Sequence, residues 1–155
     1  MAIMNPYNYS KPQNFVKTEP LKMVKQAPEN KSNAISEKMD QYLESKINAA
    51  KPEELTFMLY EGLVKFVKKS ILALESKNFE QVNYNAQRAQ AILDGLRDTL
   101  NMDIDMSAGL DNLYEYMGHM LLIANVDKDA NAFEDVLAMA EDFRDTWKTA
   151  FNIRT

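Results

Sequence analysis

The chain has 155 residues, enough for one domain with a real core, and its 4 Gly and 5 Pro are too few for a turn-rich β architecture. It has no Cys, which excludes disulfides, thiol nucleophiles and thiolate metal sites and fits a reducing compartment. Net charge is −5, unevenly spread: residues 1–52 hold 8 Lys against 5 acids, and residues 53–155 hold 10 basic against 18 acidic residues, a body that repels phosphate backbones and argues against nucleic-acid binding.

Residues 1–34 carry Pro6, Pro12, Pro20 and Pro28 through a polar stretch without helical period, which predicts a mobile arm before a helical domain at 35–155. The opening "MAIMNPYNYS" lacks the apolar core of a signal peptide, so a cytoplasmic protein is expected. A weak helical signal follows, with Ile35, Met39, Leu43 and Ile47 every fourth residue. This short segment is the candidate lid.

After Pro52 no proline interrupts the chain, which favours long helices. The first is predicted from Pro52 to about Lys77, with Glu53 and Glu54 in its electropositive first turn. Its stretch "EELTFMLYEGLVKFV" raises the functional question. At 100° per residue, Leu55, Leu59, Gly62 and Phe66 form one stripe. Phe57, Tyr60, Val64 and Val67, continued by Ile71, form a second on nearly the opposite side. Only a narrow sector with Glu61, Lys65, Lys68 and Lys69 looks built for water.

The second long helix opens at Asn78 as cap, with Val82, Ala86, Ala89, Leu93, Leu96 and Leu100 as its stripe. The third is predicted from Ser107, with Leu110, Leu113, Met117, Leu121 and Ala124 on one line and Tyr116, Met120 and Ile123 on a line beside it. The fourth starts near Asp129 or Asn131 and places Phe133, Val136, Leu137, Ala140, Phe143, Trp147 and Phe151 on one face. Short loops predict an all-α, antiparallel up-down four-helix bundle with an additional short N-terminal helix or lid. The longest purely apolar run, "MLLIA" at 120–124, is far short of a membrane span, so no membrane insertion is expected.

No active site assembles from these residues. The stretches from Asp103 and Asp127 look like calcium loops, but the sharp-turn Gly is replaced by Ala108 and Ala132, and the clasping Glu by Tyr114 and Ala138. A di-iron bundle needs two Glu-x-x-His pairs, and the sole histidine, His119, follows Glu115 by four. His119 also lacks an adjacent nucleophile. Neither enzyme activity, metal nor cofactor is expected.

The doubled stripes admit two readings. A central helix touches neighbours on both sides and needs two apolar faces; alternatively, spare faces form a groove for a guest helix. Four guest anchors, at ~1.5–3 kcal/mol each, offer ~6–12 kcal/mol, against ~2–5 kcal/mol to order the guest. That surplus suits a partner that is later released.

Several blocks, in order, carry a resemblance to a known family. "YLESKINAAKPEELTFMLYEG" (42–62) is similar to a pattern of Tyr, four residues, an aliphatic residue, a small-residue turn, Pro-x-Glu-Leu and "MLYDG". "RAQAI" (88–92), "LYEYMGHMLLIAN" (113–125) and the closing Arg144 to Trp147 with Ala150 match further blocks, and "MAIMNPY" is similar to the family's start, so residues 8–41 look like an insertion. The chain resembles the flagellin export chaperones, FliS. The resemblance implies a cytoplasmic, non-enzymatic bundle; the oligomeric state, monomer or weak dimer, is left open by the sequence. Such a bundle would bind the disordered C-terminal segment of flagellin, prevent premature polymerisation and deliver the client to the flagellar export gate. It implies lid and export-gate roles for Tyr42 and Ile47. His119 and Met120 stand where the family motif has paired Arg. The candidate partner-binding residues are therefore Tyr42, Ile47, Phe57, Tyr60, Val64, Val67, Tyr116, Met120 and Ile123. A regulatory adaptor sequestering another amphipathic helix is the alternative.

Overall fold

The computed structural model describes residues 4–7 and 32–154. Five helices follow in order: α1 (Ser32–Ala49), α2 (Pro52–Glu75), α3 (Phe79–Asp98), α4 (Asp105–Asp127) and α5 (Ala130–Ala150). Among the described residues the only β pairing is an isolated antiparallel bridge between Tyr7 and Leu100. The fold is all-α. Helix α1 begins three residues before the expected Ile35, and α4 opens two residues before Ser107, at Asp105, whose carboxylate suits the first turn. Most of the expected arm, residues 8–31, lies outside the described residues.

Local chemistry sets the helix ends. Pro52 occupies the first turn of α2, and the Glu54 carboxylate accepts the Lys51 N–H at 3.1 Å. Asn78 caps α3 by accepting the Gln81 N–H, and Asp129 caps α5 by accepting the N–H groups of Asn131 and Ala132. At the other ends, Lys77, Lys128 and Asn152 take left-handed backbone (φ 57°, 53° and 51°). The residue after each turns back to an earlier carbonyl: Asn78 to Ala73, Asp129 to Ala124 and Ile153 to Lys148.

Helices α2 to α5 form a ring in which α2 packs on α3 and α5, and α4 packs on the same two. Three contacts fix the α3–α4 register. Arg97 grips Asp111 at 2.7 Å, the Gln90 side chain covers Gly118, and the Asn125 amide donates to Asn83 at 2.9 Å. Each step of seven residues along α3 meets seven in the opposite sense along α4, the heptad relation of an antiparallel bundle. Gly62 brings α2 close to α3, since a Cβ there would stand 3.2 Å from Ile92 Cδ1. The core runs down the middle through Leu63, Val67, Val82, Leu93, Leu96, Met117, Leu121, Phe133 and Val136.

Candidate functional site

Both stripes of α2 are taken up by neighbouring helices. Phe57, Tyr60, Val64 and Val67 are 5%, 1%, 3% and 0% exposed, enclosed by the chain's own helices. The expectation that they stand open for a partner is corrected. Tyr60 stacks on Phe143 of α5 at 5.8 Å and meets Trp147 edge-on at 5.9 Å, so this stripe faces the bundle axis. The stripe of Leu55, Leu59, Gly62 and Phe66 is half-buried, and Gly62 and Phe66 meet α3 through Ile92 and Arg88. Because α2 has a neighbour on each flank, both stripes are used.

On α4 the second line does reach the surface. Tyr116 is 53% and Ile123 37% exposed, with Leu113 also exposed and Met120 half-buried against the core. Asp111, Gly118 and Asn125, which meet α3, lie roughly opposite this stripe around the helix. Leu113, Tyr116, Met120 and Ile123 thus form a continuous apolar face turned away from α3.

Helix α1 flanks the ring without joining it. Tyr42 is exposed and Ile47 half-buried, while Ile35 and Met39 also stay largely in solvent. Its apolar line does not close over a cleft as a lid would. It forms one wall of a groove of about 860 Å³, using Met39, Asp40 and Leu43, against Phe66 and Leu72 of α2 and Tyr84 and Arg88 of α3.

The N-terminal element that does reach the core is Pro6–Tyr7. The Tyr7 hydroxyl joins those of Tyr60 and Tyr114, lying 3.0 Å from the former and in close contact with the latter, and its ring meets Trp147 edge-on at 5.5 Å. The Pro6 carbonyl accepts the Asn101 N–H at 2.7 Å and the Ser107 hydroxyl at 3.4 Å, which pins the segment to the α3–α4 connection. Burial, reinforced by the neighbouring Tyr60 and Tyr114, holds the Tyr7 phenol in its protonated form far above its ordinary range. Trp147 completes the cluster by donating its indole N–H to the Glu53 carbonyl at 2.8 Å. Reading the first 34 residues as one arm missed this plug. Its signal was "NPY" at 5–7, an Asn-Pro turn followed by a large aromatic.

The profile of the family described as "Flagellar protein FliS" matches residues 34–154. The flagellar secretion chaperone FliS of Bacillus subtilis (strain 168) is 38% identical over 117 residues, covering 76% of this chain and 88% of that protein. Its namesake in Salmonella typhimurium is 30% identical over 68% of this chain and 81% of its own length. That of Escherichia coli K12 is 29% identical, over 68% and 80% respectively.

Proposed function

The chain belongs to the flagellar protein FliS family, and on that premise we propose that it is a flagellin export chaperone. It binds the disordered C-terminal amphipathic segment of flagellin in the cytoplasm, delays its polymerisation, and passes it to the flagellar export gate. It acts by binding, without catalysis. The observation that carries this reading is the apolar face of Leu113, Tyr116, Met120 and Ile123, with two of its large side chains 53% and 37% exposed on a helix that already has a full inner face. A guest helix docking there removes apolar surface from water at about 25 cal/mol per Å², and half-buried Met120 has the flexibility to fit it. Tyr42, exposed on α1, and Ile47 near its end are the residues this reading assigns to the export-gate contact.

The test is to titrate a flagellin C-terminal fragment into the full chain by calorimetry, with circular dichroism in parallel. The expected result is heat of binding at micromolar concentration and a gain of helix. No heat and additive spectra would reject the chaperone reading. Tyr116→Asp places a charge in the middle of the face, where the side chain already meets water. It should leave the melting temperature nearly unchanged and weaken fragment binding about tenfold or more.

A further inference from the structure

We propose that the groove between α1, the C-terminal half of α2 and the N-terminal half of α3 binds an acidic amphipathic helix of a protein partner. This goes beyond the flagellin reading and does not depend on it, because the groove and the exposed face of α4 are different surfaces.

Charge is the first argument. Residues 53–155 carry eight more acids than bases, yet cations gather at this groove. Lys65 Nζ, Lys69 Nζ and Arg88 Cζ stand 5.9, 5.8 and 5.3 Å from the centroid of the single Phe66 ring. Each is attracted by the π face, and each repels the others. Partial burial and the Lys65 charge both push the Lys69 ammonium below its ordinary range. Lys65 and Lys69 form no ion pair with the described residues, unlike Arg97, which pairs with Asp111 and Glu115, and Arg144, which pairs with Glu141 and Asp145. A ligand that brings carboxylates relieves this repulsion, and the acidic remainder of the body disfavours such a ligand elsewhere.

Shape is the second. Beneath the cations the groove is apolar, with Phe66 half-buried at the centre, Tyr84 on the α3 side and Leu72 62% exposed. A small anion would leave that surface wet. The ligand therefore needs apolar side chains beside its acids.

The chain itself supplies a wall that shows what fits the groove. Helix α1 presents Met39 and Leu43 one turn apart, each followed directly by an acid, Asp40 and Glu44, with Glu37 on the same edge. Lys38 and Lys46 lie off that edge and leave the helix a net charge of −1, so α1 is an amphipathic helix with one acidic edge, set against a basic, apolar groove. It defines the pattern a partner needs: an apolar residue and then a carboxylate, repeated every four residues. Three walls also favour a rod-shaped guest over a membrane surface, which needs a convex or flat patch.

The probe is a fluorescent peptide carrying residues 34–48 of this chain, tested by anisotropy against the full chain. The host keeps its own α1 unchanged, since Met39 and Leu43 form the third wall of the groove. The peptide should bind this host. A control peptide with E37Q, D40N and E44Q should bind about tenfold more weakly, and so should the acidic peptide on a host carrying Lys65→Glu and Lys69→Glu. A peptide with Lys at those three positions should recover affinity on the charge-reversed host. Melting temperatures check the fold, and Lys65→Gln with Lys69→Gln replaces the reversal if it unfolds the chain. Absence of binding at millimolar peptide, or affinities indifferent to the Lys changes, overturns the proposal. Failure of the peptide alongside Lys-dependent sedimentation with phosphatidylglycerol vesicles overturns it in favour of a membrane contact. Binding of a flagellin fragment is measured on the same hosts: if it persists while the peptide fails, the groove proposal falls and the chaperone reading stands.

Discussion

Tyr7 shows how one side chain from outside the helices can belong to the core. Its ring is 5% exposed among Tyr60, Tyr114 and Trp147, and its hydroxyl is shared with two other phenols. Tyr7→Ala removes the ring and leaves a polar cavity, so urea denaturation should show a loss of about 3 kcal/mol. Tyr7→Phe keeps the ring and loses one hydroxyl from the cluster, a loss of about 1 kcal/mol. The phenol also links stability to pH. Its proton is held more tightly in the folded chain than in the unfolded one, whose ordinary value is near 10. Below that pH both states keep the proton and the contribution is complete. Above it the unfolded chain releases the proton first, so stability falls, at up to about 1.4 kcal/mol per pH unit for one such group. Denaturation midpoints measured from pH 8 to pH 11 should fall less steeply in Tyr7→Phe than in the parent. At this scale Trp147 and Phe133 were legible from their place on a strong helical face, and Tyr7 was not. Composition averages over a stretch, and four prolines in a polar run conceal one aromatic that packs.

At the scale of elements, the helices and their caps follow from sequence, since Pro52, Asn78 and Asp129 each act within one turn of their own position. The C-terminal ends leave room for improvement. Lys77 holds φ at 57°, a left-handed conformation that crowds its Cβ. Lys77→Gly relieves that crowding and gives back part of the gain through a more flexible unfolded chain. The net expectation is a stabilisation of about 0.5–1 kcal/mol, read as a higher denaturant midpoint at unchanged m-value. The doubled stripes show where periodicity stops being informative. It gives the angle of each side chain about its own axis and says nothing of which neighbour occupies that angle. On α2 both stripes meet other helices, because α3 and α5 lie on its two flanks. On α4 the line of Tyr116 and Ile123 meets solvent. The two patterns look alike in sequence; the order of helices around the ring separates them.

For the molecule as a whole, the all-α class and the antiparallel order were legible because short loops and long apolar periods leave few alternatives. What local pattern could not supply was the closing contact between Pro6–Tyr7 and the α3–α4 connection, about a hundred residues apart in sequence. That contact is energetically substantial against a typical domain stability of about 5–15 kcal/mol. A chain starting at Ser32 loses the buried Tyr7 ring, and it leaves the Asn101 N–H and the Ser107 hydroxyl without the Pro6 carbonyl. The combined loss should be about 3–5 kcal/mol, lowering the melting temperature by roughly 10 °C or more while the far-ultraviolet spectrum stays helical. A peptide of residues 1–12 added in trans should restore part of the loss. Because joining two parts in one chain acts like a local concentration of up to about millimolar, the restoration requires peptide at that level. The same peptide with Tyr7→Ala should restore nothing, since the ring carries the buried apolar area. A truncated chain that melts with the parent would show instead that the four helices are complete alone and that Tyr7 only rests upon them.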